Sequence, residues 1–189
     1  LNATFTGQQA GLLVFPVKYE GAMNCYLRNS HFRGDPSNSW KRECVNFRNS
    51  YRCIASDCSI SFGWYYLINS TYDYGFSADN ATECAWRNCH VSNTRHGFAA
   101  DKGSAGLIYY GCTSDNTTAS AFDLHAGWVR DITYAFCHAT ASDTRNSTDG
   151  QKHGFLAGNT SFVNGAQNIL YIGCTARGFG TYTPGNGSS

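Results

Sequence analysis

Charge is what this chain has least of. Asp, Glu, Lys and Arg make up 14% of its 189 residues and balance to a formal net charge of +1. A protein that holds phosphates or an anionic membrane surface carries a basic stripe; none is present, so nucleic acid is excluded as a partner. Methionine occurs once, proline three times, and lysine is scarce. Gly, Asn, Ser, Thr and Tyr are abundant instead, a balance that disfavours long helices and favours short strands joined by turns. No run approaches the roughly 20 apolar residues that cross a bilayer. "GLLVF" at 11–15 is also too short for the core of a signal peptide followed by a cleavage site. The chain is expected to be soluble or already processed, and not membrane-spanning. P-loop, dinucleotide-binding and Ser-His-Asp spacings are missing, and the cysteines lack the Cys-x-x-Cys spacing of zinc sites. Neither a metal nor a cofactor is expected.

What the chain does have is cysteine, sequons and a repeat. Nine cysteines are many, and the number is odd. In an oxidising compartment an odd count leaves one thiol free or paired between chains. Seven Asn-x-Ser/Thr sequons begin at Asn2, Asn69, Asn80, Asn116, Asn146, Asn159 and Asn186. This excess over composition points to a glycosylated protein of the extracellular space or of a cell or virion surface.

"LIYYGCT" at 107–113 returns as "ILYIGCT" at 169–175, and self-similarity at a fixed period signals a solenoid. Anchored on Cys112, the equivalent positions are Leu27, Phe47, Leu67, Cys89, Cys137 and Cys174, with spacings of 20, 20, 22, 23, 25 and 37 residues. Three residues earlier stand Asn24, Cys44, Trp64, Trp86, Tyr109, Tyr134 and Tyr171; five earlier stand Phe62, Cys84, Leu107, Ile132 and Ile169. Positions minus five and minus three share a strand face, whereas the anchor would face away unless the chain bends between them. Asn46, Asn88, Gly111 and Gly173 precede the anchor in four repeats, and Asn and Gly tolerate the left-handed conformation of such a corner.

This pattern, I-x-Y-x-G/N-C-T/H, resembles the right-handed parallel β-helix of pectin-lyase-like enzymes and phage tailspikes. The resemblance implies an all-β fold, a single-stranded solenoid of about seven coils of 20–25 residues. Residues 1–20 would form an N-terminal edge strand or assembly contact, 21–180 the β-helix, and 181–189 a flexible tail. Cys89, Cys112, Cys137 and Cys174 would stack in a core column, since buried free cysteine behaves as a small apolar residue. Cys25, Cys44, Cys53, Cys58 and Cys84, in the irregular first half, are the disulfide candidates.

Two functions stay open. Neither end shows an obvious cap, and an uncapped solenoid exposes backbone that invites another copy to stack on it. This points to a non-catalytic extracellular structural subunit that assembles with itself as a homo-polymer, in a filament, sheath or surface layer. The alternative is a polysaccharide-binding or polysaccharide-degrading β-helix, a homotrimer of tailspike type with a glycan as partner. If enzymatic, it would be a polysaccharide lyase, glycoside hydrolase or epimerase. Aligning "YGFSAD", "HGFAAD", "SAFDLH" and "HGFLAG" stacks Tyr74, His96, Ser120 and His153 in one column and Asp79, Asp101, His125 and Gly158 in another, with Lys102, Arg95 and Arg130 nearby. "AFDLH" at 121–125 is similar to the Tyr-Gly-x-Asp-Pro-His stretch of mannuronan epimerases. That similarity implies proton-transfer roles for Asp123 and His125, although Ser120, Ala121 and Leu124 depart from the pattern. Asp101, Asp123 and His125 are therefore the catalytic candidates.

Overall fold

The computed structural model describes residues 3–6, 17–33, 42–61, 73–117, 119–126, 128–141, 153–157 and 166–179. Among these, every regular element is a β-strand. The opening turn holds β1 (Ala3–Thr6), β2 (Val17–Glu20) and β3 (Tyr26–Arg28). The second holds β4 (Ser30–Arg33), β5 (Arg42–Arg48) and β6 (Ile54–Ser56), and the third β7 (Ser59–Ser61), β8 (Asp73–Asp79) and β9 (Ala85–Arg87). Then come β10 (His90–Ser92), β11 (His96–Asp101) and β12 (Ile108–Tyr110), followed by β13 (Thr113–Asp115), β14 (Ser120–Ala126) and β15 (Arg130–Ala135). The last full turn is β16 (His138–Thr140), β17 (His153–Leu156) and β18 (Gln167–Ile172), and β19 (Thr175–Arg177) follows it.

Every third strand returns to the same sheet. Sheet A orders β1-β4-β7-β10-β13-β16-β19, sheet B β2-β5-β8-β11-β14-β17 and sheet C β3-β6-β9-β12-β15-β18, with every pairing parallel. The chain is thus an all-β parallel β-helix, each turn hydrogen-bonded to the ones above and below it. Equivalent residues lie 28, 31, 23, 25 and 37 positions apart in successive turns. The expected coil of 20–25 residues holds only for the two middle ones.

That unevenness corrects the register of the first half. The true column through Cys112 is Ser30, Cys58, Cys89, Cys112, Cys137 and Cys174, each just before the first outward residue of sheet A. Leu27 belongs to the aromatic column of sheet C and Phe47 to sheet B; Leu67, Trp64 and Phe62 lie outside the described residues. The aromatic column is Leu27, Ala55, Trp86, Tyr109, Tyr134 and Tyr171, so Asn24 and Cys44 do not belong to it. Asn46 is buried within β5 and marks no corner.

Corners are where the sequence is most exacting. Asn29, Asp57, Asn88, Gly111, Phe136 and Gly173 all have φ between 48° and 62°. In this left-handed conformation the amide N–H turns onto the next coil's carbonyl, as from Asn88 to Tyr110 and from Gly111 to Ala135, both 2.9 Å. The residue after this corner must be small and carry a donor. Ser30 Oγ donates to the Arg28 carbonyl at 3.0 Å and Cys58 Sγ to that of Ser56 at 3.1 Å, while Cys112 Sγ reaches back to the Trp86 carbonyl at 3.4 Å. A second corner repeats the device with Asn24, Arg52 and Glu83, again at positive φ, before Cys25, Cys53 and Cys84. Cys44 is buried just before Val45 on β5. The five disulfide candidates are accordingly part of the stacked interior, and all nine cysteines are free thiols.

Two aromatic ladders fill the centre. Trp86, Tyr109, Tyr134 and Tyr171 stack from sheet C with centroids 4.8–5.3 Å apart, and Phe76, Phe98, Phe122 and Phe155 from sheet B at 4.7–5.3 Å. The ladders meet edge-to-face, as between Tyr109 and Phe98 at 82°, and each such pair adds about 0.5–1.5 kcal/mol beyond burial. Sheet A closes the core with Phe32, Ile60, Val91, Ser114 and Ala139. Sheet A crowds the start of sheet B so closely that glycine is needed there. A Cβ on Gly75 would sit 2.5 Å from the Gly97 carbonyl oxygen and 2.6 Å from Val91 Cγ1, and one on Gly97 would strike Ser114.

Two outcomes follow from this packing. Gly75→Ala should lower the unfolding free energy by about 1–3 kcal/mol in urea titration, the range for overpacked cores; a neutral result would mean that sheets A and B are not this close. Thiol labelling of the native protein should modify Cys25 and Cys174, half-buried at the column ends, well before the seven buried cysteines. Burial also pushes the Cys84 thiol up to about 11, which removes the reactive thiolate.

Candidate functional site

Gly75 and Gly97 direct their Cα–Cβ vectors inward against sheet A, and the next residues, Phe76 and Phe98, are also inward. Two consecutive inward positions require a bend in the strand. Tyr74 and His96 before that bend therefore share the outer face of sheet B with Ser77, Ala99 and Asp123 after it. Pairing places Tyr74 beside His96 and Ser120 beside His153, which is the first stacked column expected from the sequence.

The bend also brings together groups from different columns. His96 Nδ1 lies 2.9 Å from Asp123 Oδ2, with side chains only 5% and 1% exposed. Tyr74 stacks on the imidazole, centroids 4.9 Å apart and planes 10° from parallel. Arg95 Nη1 donates to the Tyr74 hydroxyl at 3.4 Å. A His–Asp contact this deep in low dielectric holds together because removing either partner strands the other. In front of it, Tyr74 and Arg95 are half-buried, so solvent reaches them. The arrangement is a buried His–Asp pair backing a phenol and a guanidinium, with the Asp101 carboxylate acting on the phenol through its charge.

Burial raises the Tyr74 phenol to about 12; Arg95 opposes the shift, and the Asp123 and Asp101 carboxylates reinforce it. The phenol is protonated at neutral pH, as an unshifted tyrosine also is, and the upward shift makes it a weaker acid, so any proton it delivers depends on the charge that develops on the acceptor.

Of the catalytic candidates, Asp123 sits in this cluster and Asp101 at its edge, its Oδ1 accepting from the Lys102 amide at 2.7 Å. His125 does not continue the Asp79–Asp101 column. The register shifts between Ala100 and Asp101, so that Asp101 faces Ala126. Lys102 Nζ lies 3.5 Å from Asp79 Oδ2, and Arg48 Nε 3.3 Å from the same oxygen. Arg130 starts β15 in sheet C, away from this face. His96 was read from the sequence only as Tyr74's column mate; its pairing with Asp123 crosses columns, and the Gly-Phe dipeptide at 97–98 is the one signal for it.

Among the sequons, Asn80 and Asn116 stand at left-handed corners, and their amide nitrogens donate to Asn49 Oδ1 at 2.8 Å and Asn93 Oδ1 at 3.4 Å. Asn2, Asn69, Asn146, Asn159 and Asn186, like Gly158, lie outside the described residues. Among the described residues no group of three or more His, Cys, Asp or Glu could hold a metal ion, and no helix is long and apolar enough to cross a membrane.

No family model matches this sequence, and no curated protein matches it. Among solved structures the chain is similar to the tailspike protein gp49 from Pseudomonas phage LKA1, at 18% identity and a TM-score of 0.48. The similarity covers 90% of this chain and 29% of that one, so the chain spans about three tenths of the tailspike's length. The fold assignment rests on the sheet topology itself.

The Tyr74 shift has a measurable consequence. An unfolded tyrosine ionises near 10, so the stability tied to a neutral Tyr74 is complete below about pH 10 and lost as pH rises toward 12. Urea denaturation across that window should show a shallower decline for Tyr74→Phe than for the wild type. Equal slopes would mean that the phenol is not held in this buried, acid-flanked position.

Proposed function

We propose that the chain is a surface-exposed polysaccharide-binding β-helix that transfers protons on an acidic polysaccharide at the outer face of sheet B. The observation carrying this reading is the Tyr74–His96–Asp123 stack, with Arg95 on the phenol. Arg95 is suited to a uronate carboxylate, because a guanidinium matches that group in charge and shape. Neutralising the carboxylate acidifies the adjacent C–H. Asp101 is the base that removes this proton, and Tyr74 delivers one, either to the departing glycosidic oxygen, as in a lyase, or to the opposite face of the same carbon, as in an epimerase. The buried His96–Asp123 pair holds the Tyr74 ring in place. The location implied is the extracellular space or a cell or virion surface.

Assembly by stacking of uncapped ends is the weaker reading. The odd cysteine count that suggested bridges between chains is accounted for by the corner columns and the core.

The test uses a panel of uronate-containing polysaccharides. Lyase turnover appears as ultraviolet absorbance of unsaturated uronate, and epimerase turnover as deuterium incorporation from heavy water beside the carboxylate. Tyr74→Phe and Asp101→Asn should each lower the rate by about 10²–10⁴-fold, the usual contribution of a general acid or base. Wild-type protein inactive on every member of the panel, or variants as active as wild type, would refute the assignment.

A further inference from the structure

Sheet A presents a different chemistry. Its first outward position reads His31, Ser59, His90, Thr113, His138 and Thr175 along the coil. Imidazole and hydroxyl alternate, and each imidazole is tied to the hydroxyl of the next turn: His31 Nδ1 to Ser59 Oγ at 2.6 Å, His90 Nδ1 to Thr113 Oγ1 and His138 Nδ1 to Thr175 Oγ1 at 2.7 Å. With Nδ1 occupied, each ring is fixed and its Nε2 edge is directed away from its partner. The second outward position reads Arg33, Ser61, Ser92, Asp115, Thr140 and Arg177. Thr140 Oγ1 donates to Asp115 Oδ1, and His90 Nδ1 stands 3.8 Å from Asp115 Oδ2. All twelve residues are exposed or half-buried.

We propose that this face is a second binding surface, separate from the sheet B site, that takes a neutral polysaccharide chain laid along the coil axis. Its size selects a slender ligand. Three residues across a strand span about 10 Å and five inter-strand steps about 24 Å, so the face offers roughly 240 Å². A stable protein–protein interface needs about 800 Å² per partner, which rules out a protein partner held by this face alone. Its charge rejects a polyanion. The arginines stand at the two ends with Asp115 between them, whereas a phosphate backbone is held by many cations in succession. None of the twelve outward residues is apolar, so a lipid or hydrophobic peptide finds no anchor. A repeating hydroxylated polymer remains, its groups replacing water on donors and acceptors that recur at every turn.

Electrophoresis of the intact chain through gels containing dextran, galactomannan, xyloglucan or soluble starch tests this directly, with parallel gels holding double-stranded DNA and a flotation assay on phosphatidylglycerol vesicles. Wild-type protein should be retarded by at least one neutral polysaccharide and bind neither DNA nor vesicles. The double variant His90→Ala, His138→Ala should lose roughly tenfold in affinity, equivalent to about one to two hydrogen bonds. Thr113→Val, which keeps the side chain's shape, should lose several-fold, and it carries the test if the double variant fails to fold. Arg87→Ala, exposed in sheet C outside both sites, should bind as wild type does, and since none of the four polysaccharides carries a uronate, failure of the sheet B reading leaves this result untouched. Absence of retardation by all four neutral polysaccharides, binding only to DNA or vesicles, or folded variants that bind normally would overturn the proposal.

Discussion

In-register parallel stacking is the constraint on which everything else in this protein depends. Each residue lies 4.7–4.9 Å from its equivalents above and below, so its first neighbours are set by the repeat before any tertiary choice is made. A residue type is admissible only if it tolerates others of its column at that distance. Aromatic rings do, by stacking, and so do thiols, which donate to backbone carbonyls. Corner amides also qualify, because one can donate to the next, as Asn80 does to Asn49. Like charges need a counter-ion. Glu20, Arg48 and Asp79 alternate in sign, and where Asp101 follows Asp79 in the same column, Lys102 reaches back to Asp79. The scarcity of charge in the composition is thus the sequence-level trace of the fold.

The same constraint explains which parts of the fold were legible. From Trp86 onward, the aromatic and aliphatic columns read from the sequence match the pairing, because there the stacked residues are chemically alike. Before that point they diverge. A fixed spacing of about 20 residues selects Leu27 and Phe47, whereas the column itself contains Ser30 and Cys58. Serine and cysteine are equivalent at that corner for a reason that similarity of hydropathy does not capture: each is small and donates to a carbonyl two residues back. The recognisable signal is the pair, a residue able to adopt positive φ followed by Cys or Ser, and it also marks the second corner at Asn24–Cys25, Arg52–Cys53 and Glu83–Cys84. Seen this way, the cysteines of the first half are as regular as those of the second.

The candidate site was legible in one direction only. Along the coil axis, the column of Tyr74, His96, Ser120 and His153 follows from repeated motifs. Across the strands it does not, since contacts there depend on local backbone shape. The bend at Gly97–Phe98 swings His96 toward Asp123, three positions further along the neighbouring strand, and the shift after Ala100 moves Asp101 away from the His125 column. Both are irregularities in an otherwise uniform ladder. A repeat pattern averages such features away, yet they are what turns a column of like residues into a cluster of unlike ones.

Acid–base chemistry requires unlike groups in contact: a donor, an acceptor and a charge to bias them. Regular stacking keeps most contacts within a column, and a cluster drawn from several columns forms where that regularity breaks. On sheet B it breaks, and a buried pair backs a phenol held near a guanidinium. On sheet A it persists, and the outward columns instead offer the same hydrogen-bonding groups again and again along the axis. Breaks favour reaction at one point, whereas unbroken columns favour an extended partner with a repeat of its own. The two outer faces thus differ in what they present, because the register shifts within sheet B and stays regular along sheet A, while the aromatic ladders run beneath both.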